Sequence, residues 1–155
     1  MSWSERLAEL GITLPEVVPP LAAYVPATRH GDLIYTAGQL PIVDGELRVH
    51  GKVSETAEGV VHVDTAVELA RLCALNGLAA IDSLVGIDHV ERVVKVTGFV
   101  ASAPGFSAQA AVLNGASLLL GEIFGDAGRH VRSAVGVAEL PLGAPVEVEL
   151  VVAVH

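Results

Sequence analysis

Apolar and polar positions recur with two different periods along this chain, and the changes of period divide it into elements. Over residues 4–10, Leu7 and Leu10 fall on one side of a short helix that Gly11 can close. Pro15, Pro19 and Pro20 then hold the chain extended. From Ala22 the pattern is that of strands: AAYVPATRH, a turn at Gly31-Asp32, then LIYTAGQLP, which predicts two antiparallel strands with Pro26 at an edge. The stretch IVDGELRVHG carries Asp44-Gly45 between short alternating runs and predicts a small hairpin or an irregular third strand. Over residues 61–85 the period becomes helical. Asp64, Glu68 and Arg71 share one face, and Ala66, Ala70, Cys73, Gly77 and Ala80 share another, small enough to lie close against a sheet. HVERVVKVTGFVAS follows as a long strand, with Val90, Arg92, Val94 and Val96 alternating against Glu91, Val93, Lys95, Thr97 and Phe99. A second helix is predicted over residues 106–124, stopped by Gly125, with a candidate break or kink at Asn114-Gly115. HVRSAVGVAEL and VEVELVVAV close the chain as strands, separated by the turn residues Pro141, Gly143 and Pro145.

The order ββ(β)αβαββ predicts an α+β layer with both helices packed on one face of a mixed β-sheet. The final strand is apolar on both sides, Val146, Val148, Leu150 and Val152 against Val151 and Ala153, so the open sheet face needs cover as well, which a cyclic oligomer supplies. Composition points the same way: 52% of the 155 residues are apolar and 17% charged, too little charge to coat a monomer generously. The pattern predicts one domain over residues 1–155, with a short helical extension over residues 1–20. Its longest apolar stretches are broken by Asn or Gly and fall short of a bilayer span, so no membrane is expected. MSWSERLAELG lacks the basic start and apolar centre of a secretory signal, and the expected location is cytoplasmic. A net charge of -9, with nine scattered Lys and Arg, argues against nucleic acid. Cys73, flanked by Leu72, Ala74 and Leu75, reads as a small buried filler, and no CxxC or HxxxH pair suggests a metal.

Candidate chemistry concentrates in GRHVRSAVGV. Arg132 shares its strand face with Ala134, Gly136 and Ala138, so space lies open before it, while Val131, Ser133, Val135 and Val137 point the other way. A guanidinium there can present two parallel donors to a carboxylate or form an ordinary intrachain ion pair. Glu147 and Glu149 share one face of the last strand. Either could pair with Arg132, act as a general base on a water molecule, or be solvated. His130 lies two residues before Arg132 on the same face, as a proton donor or a structural hydrogen-bond partner. Phe99 and Phe106 are cleft or core aromatics.

TAGQLP over residues 36–41, the RSAVGVAELP run and the following PVEVE resemble the YjgF/YER057c/UK114, or RidA, family, and the resemblance covers nearly the whole chain. SWSERLAELGI, NGAS and GRHxRSAVGV are similar to a longer, less characterised branch. The resemblance implies a chorismate-mutase-like fold, a homotrimer with ligand clefts between subunits, and hydrolysis of reactive 2-imino and 2-enamino acids to 2-oxo acids and ammonia without a cofactor. Arg132 then matches the arginine that clamps the substrate carboxylate and Glu147 the glutamate that orients the hydrolytic water. Tyr24, Ala37, Gly38, Ser133 and Asn114 fall among the substrate-binding positions. Ala37 stands where the family carries a serine. The family's second-helix asparagine falls near Ala110, with Asn114 one turn later as its substitute. The alternative is a non-catalytic trimer that binds or senses small carboxylates with the same clamp. The ribonuclease label often given to the family has little support in so acidic a chain.

Overall fold

The computed structural model describes residues 1–20, 22–56 and 60–155. Helix α1 (Trp3–Glu9) starts at a reciprocal cap, in which the Ser2 hydroxyl accepts from the Glu5 N–H and the Glu5 carboxylate accepts from the Ser2 N–H. It is tied to the body through Trp3, whose Nε1 donates to the Val90 carbonyl at 2.7 Å and whose ring meets Phe124 edge-on at 5.0 Å. Strands β1 (Ala27–His30) and β2 (Leu33–Thr36) form the first hairpin. Residues 22–26, predicted as strand, are irregular instead. Pro26 has no N–H to give a ladder, and pairing begins only where its carbonyl accepts from Ala37.

Asp44-Gly45 does turn a small hairpin, β3 (Ile42–Val43) with β4 (Glu46–Leu47), both turn residues having positive φ. A short parallel pair, β5 (Val53–Ser54) with β6 (Val61–His62), has no counterpart in the hydrophobic pattern, two residues being too few to show a period. Helix α2 (Val63–Val85) follows, with His62 as its N-cap. Strand β7 (Val90–Ala101), helix α3 (Gln109–Phe124), strand β8 (Val131–Val137) and strand β9 (Val146–Val154) complete the chain.

The main sheet has the order β1-β2-β9-β7-β8, with β7 and β8 parallel and the remaining pairs antiparallel. It is an α+β mixed sheet with both long helices on one face. The buried residues of that face include Val93, Val96 and Val100 of β7 and Val146, Val148, Leu150 and Val152 of β9. The alternation expected for β7 fails at its start. Register shifts against β9 between Val90 and Arg92 and between Val93 and Lys95 add extra residues, so Val90, Val93 and Val96 all turn inward while Arg92 is exposed.

Helix α3 also departs from expectation. It begins at Gln109, because Phe106 closes a turn onto Ala103, and it runs through Asn114-Gly115 without a break. Gly115 serves helix packing there: α2 crosses so close that a Cβ at Gly115 would run into the Val67 carbonyl. The open sheet face carries Tyr35 and Val151 in one cross-strand row, Glu149, Thr97 and Ser133 in the next, and Glu147, Phe99 and Val135 in a third. Gly115→Ala is expected to destabilise the chain by about 1–3 kcal/mol, since backbone must move to admit the methyl group. A urea titration followed by circular dichroism checks this against Gly121→Ala, where nothing lies within 4 Å of the added methyl.

Candidate functional site

Two groups of polar residues stand out, one on each face of the sheet. The first is built around Glu147. After β2 ends at Thr36, the chain stays attached to β9. The Gln39 N–H donates to the Val148 carbonyl at 2.8 Å, the Val148 N–H donates back at 3.0 Å, and the Leu150 N–H reaches the Thr36 hydroxyl at 2.9 Å. This lays Gly38 directly against the Glu147 side chain, where a Cβ would occupy the place of the carboxylate. Glu147 is half-buried. Loss of water around it, and then the like charge of Glu149, push its carboxyl above the ordinary range.

Tyr24, Gly38 and Glu147 line one recess, together with Pro19 and Pro141. Its volume is about 40 Å3, more than the roughly 10–15 Å3 that a water molecule needs. Tyr24 enters from the irregular stretch before β1. Ala37 is not among the lining residues; its N–H bonds the Pro26 carbonyl. Cys73 is fully buried, and burial, followed by the charge of Glu147, raises its thiol well above the usual range, so it stays a protonated filler.

The second group surrounds Arg132 on the helix face of β8. Its Nη1 donates to Asn114 Oδ1 at 2.9 Å and to Ser117 Oγ at 3.1 Å, and its Nη2 donates to the Ala110 carbonyl at 3.2 Å. No carboxylate lies within ion-pair distance among the described residues, so the intrachain ion pair left open by the sequence does not form. A guanidinium has five N–H groups; three are engaged, leaving the Nε–H and one Nη2–H free among the described residues.

His130 extends this arrangement. Its Nδ1 lies 2.6 Å from the Gly128 carbonyl, which can only accept, so the neutral ring carries its proton there and Nε2 accepts from Ser117 Oγ at 2.9 Å. The Ser117 proton is thereby committed to the imidazole, and the hydroxyl turns a lone pair toward Arg132. Gly128 is itself fixed, packed so tightly on α3 that a Cβ would strike the Leu120 carbonyl. The histidine therefore has the structural hydrogen bond that was one of its two readings. Ser117 is the residue missed by sequence reasoning. The signal was its place three residues after Asn114 in NGAS, which puts both on one helix face.

Within one chain the two groups do not meet. Arg132 points to the helix face, Glu147 to the open face two strands away, so the pairing of Glu147 with Arg132 considered from the sequence is not formed. Ser133 also stands on the open face, beside Thr97, away from the guanidinium. Phe99 is the cross-strand neighbour of Glu147, and Phe106 packs against the core.

Comparison with known proteins agrees with this architecture. Residues 15–154 match the family model described as Endoribonuclease L-PSP. Protein TCP17 of Trypanosoma cruzi is 41% identical over 149 residues, 95% of this chain and 91% of that protein. The crystal structure of Atu1372 from Agrobacterium tumefaciens superposes with a TM-score of 0.87 at 42% identity, covering 99% of this chain and 92% of that one. That of Escherichia coli TdcF, solved with bound serine, gives a TM-score of 0.62 at 25% identity over 90% of this chain and 94% of its own.

If Ser117 sets the guanidinium, Ser117→Ala removes a hydrogen bond worth about 1 kcal/mol. If the guanidinium in turn holds a small carboxylate, affinity for pyruvate, measured by calorimetry, is expected to fall about fivefold, while Ser117→Thr, which keeps the hydroxyl, holds it near the original value.

Proposed function

Because the chain belongs to the endoribonuclease L-PSP (YjgF/RidA) family, we propose that it hydrolyses reactive 2-imino and 2-enamino acids to 2-oxo acids and ammonia. The observation that carries this reading is the Arg132 guanidinium, held among the described residues by neutral acceptors alone with two of its N–H groups left for a carboxylate ligand. Serine bound to TdcF fits the same ligand class.

The opposed faces supply the second part of the reading. Arg132 and Glu147 reach one ligand if the Arg132 edge of one copy is set against the Glu147 recess of another. The open face exposes Tyr35 on β2 and Val131 and Val135 on β8, apolar side chains that favour such an assembly, and we take it to be a homotrimer with the reaction in the clefts between subunits.

In that cleft Arg132 fixes the substrate carboxylate, and Glu147 orients a water molecule against C2. Attack forms the C–O bond as the C=N π electrons move to nitrogen, and Glu147 takes the water proton. That proton passes to nitrogen to give an amino group, and the remaining hydroxyl proton is then carried to the same nitrogen through Glu147 as the C–N bond breaks and the C=O bond forms, so imine and water yield 2-oxo acid and ammonia. The raised Glu147 carboxyl is the better base for this, and Gly38 leaves it the necessary space. Tyr24 closes the recess at the side.

Ala37 favours a second reading, a trimer that binds small carboxylates without turning them over, because the hydroxyl of the family serine is absent at that position. Ribonuclease action has no comparable support, since the net charge is -9.

The deciding assay follows 2-oxo acid release from imines made in situ by an amino-acid oxidase. Acceleration is expected, with kcat/KM reduced about 100-fold in Arg132→Ala through loss of a charge-assisted pair, and kcat collapsing in Glu147→Gln. No acceleration, with Arg132-dependent binding of 2-oxo acids, would establish the second reading. The pH dependence gives a further check. Glu147 acts as base only when ionised, so activity falls as pH drops through its raised pKa. Glu149→Gln removes a like charge and is expected to move that acid limb to lower pH. Because the ionised form is disfavoured by folding, Glu147→Gln is expected to raise the melting temperature at neutral pH, a gain that disappears below the ordinary carboxylate range.

A further inference from the structure

Next to the Glu147 recess lies a second, larger cavity of about 530 Å3, with Val18, Pro19 and Ile42 forming part of the wall of both. That volume lies within the range of small-molecule sites. One side is the extended segment between α1 and β1, through Pro15 and Val17; the other is α2, through Leu72 and Leu75. These surfaces are apolar. Among the described residues neither Lys, Arg nor His lines the cavity, and its charged residues are Glu16 and Asp44, both exposed, the latter paired with Arg48 outside the wall.

Asn76 is the exception inside. It is 2% exposed, and its Nδ2 donates both protons, to the Leu40 carbonyl at 3.0 Å and the Ile42 carbonyl at 3.1 Å. Carbonyls accept only, so the amide has one possible orientation and Oδ1 is the atom left over. Every fully enclosed side-chain polar atom among the described residues has a partner, whereas Oδ1 has none among them. Oδ1 therefore opens onto the cavity that Asn76 lines. An acceptor that reaches the inner wall of an otherwise apolar cavity can take an N–H or O–H donor from a ligand in place of water.

We propose that this cavity is a ligand site for a small aliphatic molecule bearing an amine or hydroxyl group, with its N–H or O–H on Asn76 Oδ1 and its chain between Val17 and Leu75. Glu16 at the rim favours an amine over a carboxylate, Asp44 being paired with Arg48 at 3.4 Å, and this separates the site from the Arg132 clamp in ligand class. The proposal stands apart from imine hydrolysis, and either can fail without the other.

The test is calorimetry on the intact protein with n-hexylamine, 1-hexanol and hexanoate as probes. Saturable binding of the first two, one per chain, is expected, with hexanoate at least about tenfold weaker. Val17→Trp, on the half-buried segment, fills the cavity and is expected to abolish binding. Leu75→Phe from the opposite wall does the same, and thermal melts verify that both variants are folded. Arg132→Ala is expected to bind hexylamine as the original does. The proposal is overturned if neither probe saturates, if hexanoate binds equally well, or if binding survives both cavity-filling substitutions. Loss of binding in Arg132→Ala would overturn it too, by placing the probes in the clamp.

Discussion

Neighbouring residues of a pleated strand must face opposite sides of their sheet, and that constraint decides what this chain can assemble by itself. The helix face is closed by α2 and α3 and leaves only a margin at β8, where Arg132 sits. The open face holds Glu147, Glu149 and Phe99. Arg132 and Glu147 therefore stand on opposite sides of one sheet, and the proposed reaction, which uses both on one ligand, requires a second copy to bring them together.

The two groups also differ in how their charge is tolerated. Arg132 is held by the oxygens of Asn114, Ser117 and Ala110, which orient the guanidinium without neutralising it. Its charge remains available to a ligand. Glu147 has lost part of its hydration and gained a like-charged neighbour, so its ionised form is less stable than that of an exposed carboxylate. The core offsets this local cost: the helix face of β9 is buried without interruption from Val146 to Val154 at alternate positions. The strand that stabilises the fold on one side carries the strained carboxylate on the other.

Much of this was legible in the sequence. The order of helices and strands, the shared face of Glu147 and Glu149, and the small-residue face around Arg132 all follow from simple periodicity, because long elements repeat their pattern often enough to be read. Four features were not. The irregularities in β7 break the alternation from within and put Val93 inside, and no local signal marks an extra residue in a Val-rich run. Asn114-Gly115 looks like a helix breaker until the neighbouring helix is in place, when the glycine turns out to serve contact with Val67. The Ser117–His130–Gly128 chain joins a helix, a turn and a strand entrance, so its logic exists only in three dimensions. The role of Gly38 beside Glu147 was hidden likewise, since the family-like motif marked the residue but not the carboxylate packed over it.

Trp3 is the sole tryptophan of the chain, and it is placed on the N-terminal helix with its indole N–H on Val90 and its ring edge against Phe124. Tryptophan emission from this protein is therefore a local signal: it reports whether the N-terminal helix is docked, and through Val90 whether the first residue of the central strand is in place. The residues around Glu147 and Arg132 contribute no indole of their own. Spectral shifts would accordingly separate release of this N-terminal tether from events at Glu147 or Arg132, with no extrinsic label to perturb either.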